Sequence, residues 1–344
     1  MRPKSIIKSI LSCLLLSLCV ITGAGQTKLT SIQTSPRIRV IIDNDFSGDP
    51  DGLFQLAHLL LSPSVETRAI IGSHLAVGDG LDPSMRQAFH AADKARDLLK
   101  LMQMPSSIPI IPGSNLAMAN DSTPVQDSAV DFIIKEALRT DTKMPLYILC
   151  GAGLTEVASA LMQKPEIANK FTLVWIGGPE YPDLALPSPE SKHIEYNLNI
   201  DPYAARYVFN QSKVAIWQVP RNAYRQCLVT FSQLQVHVKP QGAVGAYLYE
   251  QLARLTHIWH TNGEAYVLGD SPLVLLTALQ SYFGPDPSSC TYIFKKAPLI
   301  TKKGDYQSNP NGRQIRVYTQ LDSPFMLNDF YDKLTLLTNR LKQK

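Results

Sequence analysis

The densest chemistry in the chain lies in the segment Asp43-Asn44-Asp45-Phe46-Ser47-Gly48-Asp49-Pro50-Asp51-Gly52. Four carboxylates fall within nine residues, directly after the apolar run Arg39–Asp43. Carboxylates this close repel one another, so a site that keeps them ionised calls for a cation. An all-oxygen donor set suits a hard cation such as Ca²⁺ or Mg²⁺. Asp43 and Asp45 are two apart and so start on one strand face. Gly48 and Gly52 let the loop turn tightly, and Asp51 stands where a helical pattern begins. Turn and N-cap preferences account for one Asp, not four. An EF-hand loop would match at Asp43, Asp45, Ser47, Gly48, Asp49 and Asp51. It fails because Phe54 occupies the position of the bidentate Glu, and because a strand precedes the segment where a helix is needed.

These residues need a frame. Short apolar runs alternate with amphipathic stretches along the chain. Arg39–Asp43, Arg68–Gly72, Ile108–Ile111, Leu146–Cys150, Thr172–Ile176 and Val214–Val219 read as strands. Asp51–Leu61, Met85–Met102, Val125–Leu138 and Thr155–Met162 read as helices, with Leu53, Leu56, Leu60 and Leu61 on one stripe of the first. Asp201-Pro202 starts a further helix, with Asp as N-cap and Pro at the first helical position. This alternation predicts an α/β fold, a mostly parallel central sheet flanked by helices. Ligands of such sheets bind beyond the carboxyl ends of the strands, which is where the acidic cluster falls. No Pro/Ser/Gly-rich linker and no internal repeat divides the chain. Residues 26–344 therefore read as a single domain, although nothing after about Ser281 carries a readable motif.

Two enzyme families open with a strand and Asp-x-Asp. Phosphatases of the haloacid dehalogenase type add Thr or Ser two residues on, and Asp43-Asn44-Asp45-Phe46-Ser47 fits that outline. The segment also resembles the opening of the inosine-uridine nucleoside hydrolases, a strand followed by Asp-x-Asp-Pro-Gly-x-Asp-Asp. Further segments agree with the second family in collinear order over roughly residues 38–280. Leu149-Cys-Gly-Ala-Gly-Leu-Thr-Glu156 is similar to its Thr-Gly-Pro-Leu-Thr-Asn stretch. Ile176-Gly-Gly178, Glu195-Tyr-Asn197 and Asp201-Pro-Tyr-Ala-Ala205 resemble its Met-Gly-Gly, Glu-Phe-Asn and Asp-Pro-Glu-Ala-Ala series. Val267-Leu-Gly269-Asp270-Ser-Pro-Leu resembles its His-Asp-Pro-Leu segment. The phosphatase reading gives the Glu195/Asn197 pair no task.

The resemblance implies Ca²⁺-dependent hydrolysis of the N-glycosidic bond of ribonucleosides, giving ribose and free base. It implies Asp45 as the general base acting on calcium-held water and as a metal ligand. Asp51, Asp270 and the main-chain carbonyl of Cys150 would complete the metal set. Asp49, Glu195 and Asn197 would hold the ribose hydroxyls. The chemistry is coherent, because cleavage builds positive charge on the sugar ring and carboxylates around it stabilise that charge. The chain departs from the pattern at four places. Asp49-Pro50-Asp51 replaces adjacent Asp-Asp, which leaves the roles of Asp49 and Asp51 exchangeable. Phe46-Ser47 replaces Pro-Gly. Gly72-Ser73-His74 stands where the family has Gly-Asn touching metal or sugar, so His74 is a candidate substrate contact. Gly269 stands where many members have His, the proposed leaving-group acid. With those groups missing, a catalytically weak secreted ribose- or nucleoside-binding protein is the alternative; the retained Asp45 favours hydrolysis.

Other side chains carry weaker signals. Cys150 ends an apolar strand, and a free Cys there reads as a small buried hydrophobe. His257-Ile-Trp-His260 has zinc-compatible spacing on a helix but no carboxylate motif beside it. Trp259 or Tyr266 could stack on a base. Arg2, Lys4 and Lys8, the apolar run Ile10–Ile21 and the small residues Gly23-Ala24-Gly25 have the order of a signal peptide spanning residues 1–25. The expected protein is exported, periplasmic or secreted, and free of the membrane after cleavage. Removing those three basic residues from 33 leaves 30 against 29 acidic, a near-neutral balance that offers no nucleic-acid surface. Cys150, Cys227 and Cys290 are too few and odd in number for a disulfide scaffold. The expected partner is a small nucleoside or riboside; a homo-oligomer stays open.

Overall fold

The computed structural model describes residues 34–187, 193–258, 263–279 and 289–343. Residues 35–344 form one compact unit. The segment read as a signal peptide lies outside the described residues, as do Trp259 and His260. Among the described residues no helix is long and apolar enough to cross a membrane.

The sheet strands are β1 (Ile38–Asn44), β2 (Val65–Gly72), β3 (Ile110–Pro112), β4 (Leu146–Cys150), β5 (Phe171–Ile176) and β6 (Ala215–Val219). Two short antiparallel pairs, β7 (Leu228–Thr230) with β8 (Ala265–Val267) and β10 (Leu299–Ile300) with β11 (Tyr306–Gln307), lie outside the main sheet. The main sheet is completed by β9 (Thr291–Lys296) and β12 (Gln314–Gln320), giving the order β3-β2-β1-β4-β5-β6-β12-β9. Every neighbouring pair is parallel except β12–β9. The expected parallel α/β sheet is therefore present. The motif-free C-terminal region supplies two of its eight strands and the closing helix Ser323–Lys342.

Period-two alternation builds two cores from the same strands. Val40, Ile42, Leu149, Val174 and Ile176 face one apolar layer, while Ile41, Ile148, Leu173 and Trp175 face the other. A strand buried on both faces reads as a continuous apolar run, which is why β1 and β4 are legible in sequence. The helices α1 (Asp51–Leu60), α2 (Gln87–Leu101), α3 (Ser128–Ala137) and α4 (Thr155–Gln163) follow β1 to β4. Asp127 caps α3 by accepting from Ala129 and Val130. In order come α5 (Tyr196–Ile200), α6 (Pro202–Asn210) and α7 (Arg221–Tyr224); Asp201 caps α6 at Ala204 with Pro202 in its first turn, as expected.

The chain runs outward from β1 through β2 to β3, then returns to place β4 on the other side of β1. The switch point thus lies between β1 and β4. Loops leaving such neighbouring strands diverge and open a crevice at their carboxyl ends.

Candidate active site

A cavity of about 610 Å³ opens at that switch point. Asp45, Asp49, Asp51, Glu195, Asn197 and Asp270 all line it. Six of the eight candidate residues, drawn from three distant stretches of chain, therefore meet in one cleft.

Asn44 joins two of them. This buried side chain accepts from the Asp45 amide at 2.9 Å and donates to Asp270 Oδ2 at 2.8 Å. Gly151, at the exit of β4, leaves the space in which that pair meets: a Cβ there would lie 2.5 Å from Asn44 Nδ2 and 2.6 Å from Asp270 Oδ2. Asp51 opens α1, and its Oδ2 accepts from the Asp270 amide at 3.1 Å. Asp49 accepts from the Tyr266 hydroxyl and, at 3.3 Å, from the Asp51 amide. The inserted Pro50 thus separates the two carboxylates: Asp51 turns to Asp270, and Asp49 to Tyr266.

Burial and mutual repulsion hold these acids toward their protonated forms. Burial, then the charges of Asp270 and Asp49, push Asp45 well above the carboxylate range. Burial, then Asp270, Asp49 and Asp45, do the same to Asp51. Burial raises Asp270 to about 8 against the opposing Asn44 hydrogen bond. Burial raises Asp49 only to about 6, because Tyr266 and the Asp51 amide favour its charged form. Among the described residues no three His, Cys, Asp or Glu side chains are already drawn into a metal cage. The donor chemistry still fits a hard cation, since Asp45, Asp49, Asp51 and Asp270 bring several carboxylate oxygens to one cavity and repel one another.

Glu195 and Asn197 line the same cavity. Although two apart in sequence, they do not lie on an extended segment. Glu195 caps α5, and Asn197 lies in its first turn. Glu195 Oε2 accepts from the amides of Gly178 (2.7 Å) and Leu198 (3.0 Å), and Oε1 accepts from the Tyr224 hydroxyl (2.8 Å). Gly178 holds a positive φ of 89°, the left-handed conformation that favours glycine. Asn197 Nδ2 donates to the carbonyls of Gly151 (2.9 Å) and Ile176 (2.8 Å), which fixes its amide plane against β4 and β5.

Three further residues, His74, Cys150 and Asp43, are not among those that line the cavity. His74 is not in the cleft wall: it is buried, with Nδ1 2.9 Å from the Leu75 carbonyl and Nε2 3.0 Å from the Thr155 hydroxyl. Thr155 in turn donates to Asp201, so His74 ties the exits of β2 and β4 to the cap of α6. At β4 the cleft is lined by Gly151, which directly follows Cys150; the Cys150 thiol is buried and pushed well up by burial and by nearby Asp43, and the role implied for this residue belongs to its main-chain carbonyl. Asp43 parts from Asp45. The strand ends at Asn44, so alternation stops there, and Asp43 turns to the Ser73 hydroxyl beside Cys150 and Glu156. Sequence reasoning missed Asp79, Tyr196, Arg221, Tyr224 and Arg225, which complete the wall. Asp79, Arg221, Tyr224 and Arg225 stand in no motif, whereas Tyr196 is the middle residue of Glu195-Tyr-Asn197.

An acid-floored crevice that also holds a carboxylate–amide pair has the groups to hydrogen-bond a polyhydroxylated ligand. A family model described as inosine-uridine preferring nucleoside hydrolase matches residues 40–321. The chain belongs to that family, and so is a glycosidase that hydrolyses N-glycosyl compounds and acts on nucleosides. The match displaces the phosphatase reading of Asp43–Ser47. Among solved structures, the fold is similar to a purine-preferring ribonucleoside hydrolase from Gardnerella vaginalis, with TM-score 0.65, 20% identity, and 87% of this chain and 99% of that one covered. It is similar to an inosine-uridine preferring nucleoside hydrolase from Bacillus anthracis, with TM-score 0.60, 20% identity, and 88% and 99% covered. An inosine-guanosine nucleoside hydrolase matches with TM-score 0.66 and 16% identity over 87% and 98%. No curated protein sequence matches the chain significantly.

Proposed function

We propose that this protein is an exported, calcium-dependent ribonucleoside hydrolase that releases ribose and free base. The observation that carries the reading is the convergence of Asp45, Asp49, Asp51, Asp270, Glu195 and Asn197 on one cavity. Asp45, Asp51 and Asp270 are the residues that would hold Ca²⁺. When bound there, the cation would neutralise the repelling carboxylates and lower the pKa of an attacking water.

Asp45 accepts the proton of that water as it adds to the anomeric carbon, and burial beside other acids gives it the basicity to do so. Asp49, Glu195 and Asn197 bind and orient the ribose hydroxyls. Glu195 has two amides and a phenol fixing its carboxylate, and Asn197 has two carbonyls fixing its amide, so neither has to reorganise as positive charge grows on the ring. Export rests on the basic, apolar and small-residue order of residues 1–25.

The test is to incubate the mature protein with a ribonucleoside panel, with Ca²⁺ or with EDTA, and to measure released reducing sugar. Calcium-dependent release supports the proposal. Tight nucleoside binding without release would make the protein a binder, and release unaffected by EDTA would remove the metal.

A further inference from the structure

A purine leaves poorly as an anion, so the cleft has to take up the charge that arrives on the base. Gly269 has no side chain to protonate it. A Cβ built at Gly269 would lie 3.4 Å from Tyr224 Cδ2, so this position borders α7. Arg221, Tyr224 and the following Arg225 stand at i, i+3 and i+4, the spacing that shares one helix face, and all three line the cleft.

The phenols of the cleft are poor acids. Tyr224 donates to Glu195, Tyr196 to Asp79 Oδ2 at 2.7 Å, and Tyr266 to Asp49. Each hydroxyl is spent on a carboxylate, and burial raises each above its ordinary pKa. The guanidinium groups differ in keeping their charge. Arg221 forks onto Glu180 through Nε (2.8 Å) and Nη2 (2.5 Å), which keeps Nη1 out of the fork. Arg225 is exposed and also acts electrostatically on Glu180, so two cations share that carboxylate. A guanidinium stays charged at every working pH and offers fixed N–H donors.

We propose that Arg225, which directly follows α7 and lines the cleft together with Arg221, stabilises the departing base as an anion in place of a general acid. This rests on the ribonucleoside hydrolase reading. The C1′–N bond breaks with its electron pair going to the base, and the water's oxygen bonds to C1′ while its proton goes to Asp45. Arg225 hydrogen-bonds the anionic base, which takes a proton from solvent after release. The preferred substrates are nucleosides whose base leaves as a stabilised anion.

The experiment compares inosine with 7-methylinosine, each cleaved by the wild type, Arg225→Gln and Arg225→Lys on the acidic side of neutrality. The methylated base is cationic in the substrate and departs without net negative charge. Arg225→Gln should lower kcat/KM on inosine by roughly 10–100-fold, less than the about 10²–10³-fold lost with a buried oxyanion donor, because Arg225 is partly in water. The same variant should leave 7-methylinosine cleavage unchanged or faster, and Arg225→Lys should restore much of the inosine rate. Equal losses on both substrates would assign Arg225 a structural role and overturn the proposal, as would an unaltered inosine rate. If the wild type cleaves neither substrate, the hydrolase reading beneath it fails instead.

Discussion

Gly151→Ala probes the site from its backbone. Gly151 follows the last residue of β4, and its φ is not positive, so alanine brings no backbone strain. All of the effect comes from the Cβ. It would lie 2.5 Å from Asn44 Nδ2, 2.6 Å from Asp270 Oδ2 and 2.7 Å from Asp270 Cγ. Normal carbon contacts lie near about 3.5–4.0 Å, so Asn44 and Asp270 must each retreat by roughly 1 Å. Their hydrogen bond is 2.8 Å long, and a retreat of that size takes it past the about 3.2 Å at which such bonds end. A hydrogen bond to a charged group contributes about 1.5–3 kcal/mol. With about 1.4 kcal/mol per tenfold, calcium affinity should drop roughly 10–100-fold. The assay is a calcium titration read by melting temperature, since a ligand binding only the native state stabilises it by mass action, with turnover followed on the same samples. The midpoint should move to higher calcium while the melting temperature in EDTA falls by little. A calcium midpoint and turnover unchanged in Gly151→Ala would refute both the packing argument and the assignment of Asp270 to the cation.

Further outcomes follow from the same geometry. Asp45→Asn should lower turnover by about 10²–10⁴-fold in samples whose bound calcium has been verified; full turnover would remove Asp45 from the chemistry. Asp45, Asp51 and Asp270 have folded-state pKa values above the ordinary carboxylate value, so their contribution to stability is present at low pH and is lost as pH rises, for Asp270 toward about 8. The metal-free protein should therefore lose melting temperature between the ordinary carboxylate range and pH about 8, and added calcium should restore more at the alkaline end. A calcium increment independent of pH would contradict this. Tyr266→Phe removes a donor that favours ionised Asp49, so the acidic limb of kcat/KM should move above the Asp49 value of about 6; a limb that stays in place would show that Asp49 does not govern it. His74→Ala should lower melting temperature while leaving KM nearly unaltered in the folded fraction, and a large KM rise would return His74 to the sugar.

What the sequence determined was what local patterning can encode. β4 falls on its expected limits, Leu146–Cys150, and β1 and β5 extend theirs by only a residue or two. Strands buried on both faces have to be continuously apolar. The Asp201-Pro202 helix start was equally legible, because capping is a matter of adjacent residues. So was the acidic cluster, as four carboxylates in nine residues need a common explanation wherever the chain goes. The tertiary structure decided the rest. Asp43 and Asp45 part because alternation holds only while the strand lasts, and the loop after Asn44 obeys its own turns. His74 is buried against Thr155, a residue distant in sequence. Glu195 and Asn197 alternate like strand residues yet sit on a short helix, since Glu195 finds the Gly178 and Leu198 amides to cap. The arginines of α7 join the cleft, and β12 joins the sheet, only through packing between segments far apart along the chain. No local pattern marks such contacts, because each partner is ordinary by itself and acquires its role from the neighbour that folding brings to it.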